Sequence, residues 1–461
     1  MAPAASTHLA SWSTKPSTQN FIAGVGVAFS AGVFTSLNLL GAGGANLEQS
    51  HVIQTANAIL SSVWFFSACS GGTYLRFLGP GLTMGLGIST FAIYVGSLWY
   101  YGITGQKAFT LIAGAVIGLG AGAVFITSGY ISVAYSRNHN RGKFVAIQQT
   151  LQATGTIICS IVPVIINKDN SIRATTPAAI YITYIVIVLA SALLAFITLR
   201  RAHQVHGMGL DSTSETNKGV WTALKGNIRV FKETKLLLLL PTFFSAGSFL
   251  IYLGSVNVFN NTLRARSLLS FVALVVQIPF GHLLHLILDN CKWSRRTRGL
   301  AGLSFVDIPL SIAWIWEIVL ARTYDRQSAP APIDWVDSEF GLTMVLLCYE
   351  LDCLGPLAIL GPLRGFLAAG EAICFGIDAA GLNYLAFAGV IFAFYAIGVA
   401  ILAFFAIFYI QDDDDLPKGR TFSHETKDEG PSSQQNVTNL TGFGQQSTQV
   451  AQQSLGMINK T

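Results

Sequence analysis

The chain has 461 residues, of which 52% are hydrophobic and only 11% are charged, and its mean hydropathy is +0.53. A soluble domain carries roughly 25% charged residues, so this composition excludes an ordinary soluble enzyme or binding module. The formal net charge of +5 comes from basic loop residues and gives no reason to expect nucleic acid as a partner.

The apolar residues fall into separated runs of roughly twenty, the length that a helix needs to cross the hydrocarbon layer of a bilayer. The runs are continuously apolar rather than alternating, as at 391–397, so helices are predicted rather than the strands of a β-barrel. The twelve predicted spans are 21–41, 52–70, 78–100, 108–134, 144–166, 178–199, 236–257, 267–288, 299–320, 341–360, 364–383 and 384–410. The sequence therefore predicts an all-α polytopic membrane protein.

The positions of Lys and Arg predict the orientation, because these residues in short loops favour the cytoplasmic side. With the N-terminus inside, the loops after the even-numbered spans hold most of them, including Arg137, Arg200 and Lys292. We therefore expect a multi-pass protein with both termini in the cytoplasm. The sequence does not distinguish the plasma membrane from an internal one.

Composition divides the chain into five regions. They are a polar N-terminus at 1–19, a six-helix half at 20–199, a central cytoplasmic loop at 200–235, a second six-helix half at 236–410 and a tail at 411–461. In the central loop, apolar residues share one helical face and basic residues take the others, which predicts an amphipathic helix that lies on an anionic membrane surface or packs under the bundle. The acidic and polar tail is expected to be disordered.

Two six-helix halves are the layout of the major facilitator superfamily, and five stretches narrow the resemblance. They are 32–44, 78–83, 141–147, 266–269 with 295–298, and 375–379. In this order they resemble the Unc-ninety-three-like branch of the superfamily, whose members are labelled ion-channel regulatory homologues, and the long tail is similar to that of fungal members. The resemblance implies a bundle of about twelve helices. The chain departs from the family at 341–364, where Gly355-Pro356 and Gly361-Pro362 interrupt the tenth span.

The resemblance also points to a gating lock. The superfamily's loop between the second and third helices commonly carries a glycine, an acidic residue and basic residues that lock an inner gate. Here the stretch 72–79 has Leu75 near the acidic position and Arg76 as its one basic residue. The equivalent loop of the second half retains more charge, in Asp289, Arg295, Arg296 and Arg298. The resemblance therefore implies a lock that is degenerate in the first half.

Ionisable residues inside the spans are the main functional candidates, since each costs roughly 2.5–3.5 kcal/mol at a helix centre. Span eleven carries Arg364, Glu371 and Asp378 seven residues apart, which places them on one helical face. Glu371 and Asp378 either line a polar cavity, where they could exchange protons or bind a cation, or pair with neighbouring helices and fix their packing. Asp307 in span nine is expected to have a structural role, paired with the basic loop or with His282.

Uncharged polar residues give further candidates. Gln148 and Gln152 in span five and Asn38 in span one either line the central cavity or form interhelical hydrogen bonds. His282 in span eight could relay protons, or it is simply hydrogen-bonded. The six cysteines lie mostly one per span, so neither a disulfide framework nor a zinc site is predicted, and no cofactor is expected.

Two functions of different kinds fit these observations. The first is a secondary transporter of a small solute or ion, with a site between the halves. The second is a regulatory or trafficking partner of other membrane proteins, as the family label implies. No motif of an enzyme is present, so catalysis is not expected. The expected partners are the lipid bilayer, a small solute, cation or proton, or another membrane protein.

Overall fold

The computed structural model describes residues 14–408 except 46, 137–140, 173, 202–203, 206–239, 246, 289–292, 329, 342–343 and 345–363. The described helices are α1 (Pro16–Leu39), α2 (Ser50–Thr104), α3 (Lys107–Ala134), α4 (Arg141–Asn167), α5 (Ala178–Thr198), α6 (Leu240–Ser245), α7 (Ser248–Asn260), α8 (Leu263–Leu288), α9 (Arg295–Ala321), α10 (Arg364–Ala379) and α11 (Tyr384–Phe408). By length and composition, eight of them could cross a membrane.

The second and third predicted spans form one helix, α2, of 55 residues. At 1.5 Å per residue it is ~80 Å long, which far exceeds the ~30 Å hydrocarbon layer. The helix is broken at Gly79, whose φ of 78° and ψ of 167° are not helical, and Pro80 follows. A side chain other than glycine is disfavoured at this φ. We call residues 50–78 the first arm and 80–104 the second arm.

The prediction of a gating loop at 72–79 is therefore wrong, because residues 72–78 continue the first arm as helix up to Gly79. Arg76 lies on that helix. The physical reason is that only Gly79-Pro80 combines a non-helical backbone with a missing N–H donor, whereas Gly72 remains helical.

A row of glycines holds α3 against the first arm of α2. Gly114, Gly118 and Gly122 recur every four residues, a spacing that predicts close helix contact in membranes. A Cβ on Gly114 would lie 2.5 Å from the backbone oxygen of Ala56, and one on Gly118 would lie 2.5 Å from that of Leu60. The two backbones thus approach to a distance that larger residues would prevent.

The buried apolar side chains form two clusters that correspond to the two halves. The first is built mainly by α1 to α5 and the second mainly by α7 to α11. Leu39 of α1 belongs to the second cluster and Ala368 of α10 to the first. The halves therefore have separate cores that touch through α1 and α10.

Two predicted spans differ from the structure. Span seven was expected to be continuous over 236–257, but α6 ends at Ser245 and α7 begins at Ser248. Span eleven ends at Ala379, and Gly381, with a φ of 73°, lies in the turn before α11. Span ten falls almost wholly outside the described residues, as do most of the central loop and all of the tail.

Candidate functional site

The two acidic residues of α10 contact the first arm of α2, so the predicted charged face lies where the halves meet. Gln54 Nε2 donates to Asp378 Oδ2 at 2.8 Å, and Ser61 Oγ donates to Glu371 Oε2 at 3.4 Å. On both helices the partners are seven residues apart, which is about two turns and returns each pair to one face. We call these four residues together with Asn57 the polar seam.

Asp378 has several donors. Its Oδ1 accepts from Ser255 Oγ at 2.8 Å and from Arg326 at 2.6 Å, and its side chain is 2% exposed. Arg326 belongs to the segment that follows α9, and its guanidinium lies 4.0 Å from the ring centre of Tyr384, a cation–π arrangement. The charge of Asp378 is therefore balanced within the second half, while Gln54 ties the same carboxylate to the first half.

Asn57 extends the seam into the first half. Its Nδ2 donates to Asn38 Oδ1 at 3.0 Å and to Gln54 Oε1 at 3.2 Å, and Tyr94 OH donates to its Oδ1 at 2.5 Å. The predicted site residue Asn38 is thus linked to Asp378 through two intervening amides. All of these groups are buried.

Glu371 has a different environment. Glu371 is 7% exposed, and in the described part of the chain Ser61 is the one hydrogen-bond donor to its carboxylate. The carboxyl group lies against Gly247, just before α7, where a Cβ would be 2.5 Å from Glu371 Oε1. An ionised carboxylate with one long hydrogen bond is costly to bury, so this group is suited to take up a proton or a cation.

The predicted candidates in α4 lie elsewhere. Gln148 accepts from Ser128 Oγ at 2.7 Å and donates to Asn20 Oδ1 at 2.9 Å, which joins α1, α3 and α4 within the first half. This matches the interhelical alternative stated for it. Gln152 is half-buried one turn further along α4.

The remaining candidates lie outside the seam. His282 is exposed near the end of α8. Arg298 donates to the backbone oxygen of Leu288 at 3.2 Å, which satisfies a carbonyl at the C-terminus of α8, and Arg296 is exposed. Asp289 and the side chain of Arg295 lie outside the described residues.

Two further acids, the buried Glu317 and the half-buried Asp307, have tyrosine partners within the second half. Tyr395 OH donates to Asp307 Oδ1 at 3.0 Å, and Tyr252 OH donates to Glu317 Oε1 at 2.8 Å. In the described residues Asp307 therefore pairs with Tyr395, and the expected basic loop lies partly outside those residues, at 289–292. Tyr395 lies on α11, which packs beside α9, so this pairing depends on tertiary structure.

Several residues of the site were absent from the sequence-based candidates, although part of the signal was present. Gln54, Asn57 and Ser61 follow spacings of three and four, so they form a polar stripe in an apolar span. Ser255 and Arg326 were also absent from the candidates, and Arg326 lies in the polar segment after α9 rather than in a span.

Solved structures with the same fold are membrane transporters. The xylose transporter XylE from E. coli, a member of the major facilitator superfamily, is 15% identical, with 90% of this chain and 100% of that chain covered and a TM-score of 0.51. The nucleoside transporter NupG is 14% identical, with 86% and 100% covered and a TM-score of 0.54. The chain is therefore an integral, multi-pass membrane protein with the major facilitator fold, as predicted from its spans.

Sequence comparison gives the family. Residues 51–301 match the family described as "Ion channel regulatory protein UNC-93". An uncharacterized membrane protein of Schizosaccharomyces pombe is 31% identical over 389 residues, which cover 80% of this chain and 79% of that protein. UNC93-like protein 1 of Arabidopsis thaliana is 26% identical over 407 residues, which cover 83% and 88%. The chain belongs to the UNC-93 family, and the predicted resemblance is confirmed.

Proposed function

We propose that this protein is a secondary transporter that couples the movement of a small solute to a proton, with Glu371 as the group that carries the proton. The observation behind the proposal is a buried carboxylate with one long hydrogen bond, at the contact between the two halves. In transporters of this fold the site between the halves is exposed alternately to the two sides of the membrane. Because Ser61 is in one half and Glu371 in the other, loading Glu371 changes the contact that joins them.

Asp378 has a separate role in this proposal. Its charge is held by Arg326, and its hydrogen bonds tie Ser255 of the second half to Gln54 of the first. It therefore stabilises one arrangement of the halves, while the more weakly bonded Glu371 exchanges its proton. Gln148, Gln152 and His282 are not part of this mechanism.

The basic loops support an orientation with both termini in the cytoplasm, and the family supports no particular organelle. The solute is also open. Two of the solved structures of similar fold are a xylose transporter and a nucleoside transporter, and these solutes begin the panel for the test.

The experiment uses full-length protein in liposomes that contain the pH-sensitive dye pyranine. Xylose, uridine, neutral amino acids and KCl are added one at a time. We expect at least one of them to cause a change in lumenal pH with the wild-type protein. The variant Glu371→Gln is expected to lose this proton movement, because an amide cannot release a proton at this position.

Glu317→Gln is the matched control. It is the same substitution at a glutamate that is 5% exposed, and an amide oxygen can still accept from Tyr252 OH. We expect it to retain proton movement. Unchanged solute-dependent proton flux in Glu371→Gln would contradict the proposed role of Glu371.

A regulatory partner of a membrane channel is the second candidate, and the description of the UNC-93 family as ion channel regulatory proteins favours it. In that case no solute of the panel would move, and deletion of the gene would alter an ionic current in whole-cell recordings. Restoration of that current by Glu371→Gln would then show that the carboxyl group is dispensable for regulation.

A further inference from the structure

An arginine of the second half donates hydrogen bonds to the backbone just beyond the C-terminal end of α1. Arg266 is 1% exposed, and its guanidinium donates to the backbone oxygens of Leu40 at 3.2 Å, Ala45 at 3.3 Å and Ala174 at 2.9 Å. These three acceptors come from two separate segments of the first half, whereas Arg266 lies in the first turn of α8. We call this end of the bundle the distal end, because it is opposite the N-terminus of α1.

Other contacts between the halves surround this arginine. Asn257 Nδ2 donates to the backbone oxygen of Leu39 at 2.7 Å, and Asn167 Nδ2 donates to Ser267 Oγ at 2.9 Å. The backbone nitrogen of Leu263 also donates to the oxygen of Ile172 at 3.0 Å. The distal end is thus closed by hydrogen bonds between α7 or α8 and three segments of the first half.

The opposite end of α8 has no comparable cover. Leu263, Leu269 and Ala273 are fully buried, but from 275 to 288 no position whose side chain is described is buried. A helix packed along its whole length would keep one face covered throughout. The described hydrogen bonds between α8 and the first half therefore lie at the distal end.

Arg266 is suited to a switch between two states. A guanidinium has five N–H donors in a fixed geometry and is costly to bury unless acceptors face it. The acceptors here converge only while the end of α1 and the segment before α5 both lie against α8. When the halves separate at this end, Arg266 loses all three together.

We infer that Arg266 is a latch that holds the distal end closed, and that its loss shifts the protein toward a state that is open at this end. The inference rests on the proposed function only in treating that open state as a step of transport. The test follows conformation directly and needs no solute, so a failed latch and a failed transport proposal give different results.

The test measures water access to one cysteine at the distal junction. Val258 is 3% exposed, and a Cβ on Gly41, two residues beyond the end of α1, would lie 2.6 Å from the Cβ of Val258, so Val258→Cys reports on the contact between the halves. The full chain, with its six native cysteines replaced, is treated with the membrane-impermeant thiol reagent MTSET on each face of the membrane. In Arg266→Met we expect labelling about tenfold faster or more, which is the effect of losing one hydrogen bond to a charged group.

Arg264→Met is the matched control. Arg264 lies two residues earlier, but its side chain pairs with Asp334, which follows α9 in the same half. Its labelling rate is expected to stay near that of the parent protein. A folded Arg266→Met variant with an unchanged rate of cysteine labelling would overturn the inference that Arg266 is a latch.

A second pair of substitutions separates opening from general loosening. In Arg266→Met, the added changes Asn167→Cys and Ser267→Cys place two thiols where the side chains now touch. Oxidation of this pair should return labelling of the reporter to the slow rate, and reduction should restore the fast rate. Fast labelling that persists after cross-linking would contradict the inference.

If Arg266→Met does not fold, Arg266→Lys serves in its place, because it keeps the charge with fewer fixed donors. We expect this variant to be labelled at an intermediate rate, and labelling at the parental rate would overturn the inference.

Discussion

Replacement of Asp378 by Asn should weaken the contact between the halves in a measurable way. The new amide NH₂ would face Gln54 Nε2, so that two donors meet. Rotating the Gln54 amide by 180° would remove this clash but would lose the hydrogen bond that Gln54 Oε1 accepts from Asn57. The same change removes the charge that faces Arg326. Each of the two defects lowers the free energy of unfolding by about 1–3 kcal/mol. The Arg326 side chain is 22% exposed, so its hydration offsets part of the loss of the ion pair. We expect a total of about 3 kcal/mol.

The assay is thermal unfolding of the purified protein in detergent, followed by fluorescence-detected size exclusion. At about 2 °C per kcal/mol, Asp378→Asn should lower the midpoint by about 6 °C. Asp325→Asn is the control: it is the same substitution one residue before Arg326, at an exposed side chain that bonds only its own turn in the described structure. It should shift the midpoint by less than about 1 °C.

A double-mutant cycle with Arg326→Gln tests the assigned cause. If the ion pair matters, the double variant should lose less stability than the two single variants together, because either change alone already removes the pair. Additive effects of the two changes, or an unchanged midpoint in Asp378→Asn, would refute this explanation.

Two further predictions concern the packing of α3 and the loop after α9. Gly118→Leu should prevent the close approach of α3 to Leu60 and reduce the yield of monodisperse protein, whereas Gly129→Leu, with no atom within 4 Å of its Cβ position, should be tolerated; equal yields would contradict the packing argument. The hydrogen bond from Arg264 lowers the pKa of Asp334 from 3.8 to about 2, so its stabilising effect is present above pH 3.8 and is lost as pH falls toward 2. The difference in unfolding midpoint between wild type and Asp334→Asn should therefore be constant between about pH 5 and 8 and should shrink below about pH 4, and a difference that grows on acidification would contradict this sign.

The helices were predictable because a bilayer demands long apolar runs, but their breaks were not. The sequence of 72–78 does not indicate that the chain continues there as helix, because a glycine and an arginine interrupt the apolar run well before the actual break at Gly79-Pro80. The break before Ser248 was missed for a related reason: an apolar run reads as continuous whether or not its backbone turns.

The face of α10 that carries Glu371 and Asp378 followed from helical periodicity alone. Their partners did not, because Gln54 and Ser61 lie more than 300 positions earlier and periodicity says nothing about which helix a face meets. The tyrosine partner of Asp307 was unpredictable for the same reason. Sequence thus indicates which side chains need partners, and only the packing of the helices supplies them.

The pairing of Gln54 with Asp378 spans 324 positions of the chain, and this has a consequence for how the protein is made. At roughly 5–20 residues per second, the ribosome needs about 15–65 s after the earlier side chain emerges to produce the later one. During that interval Gln54 Nε2 lacks its acceptor, the carboxylate of Asp378. Biogenesis of this protein is therefore expected to include a membrane-inserted intermediate, in which the insertion machinery or a membrane chaperone protects the incomplete helix bundle.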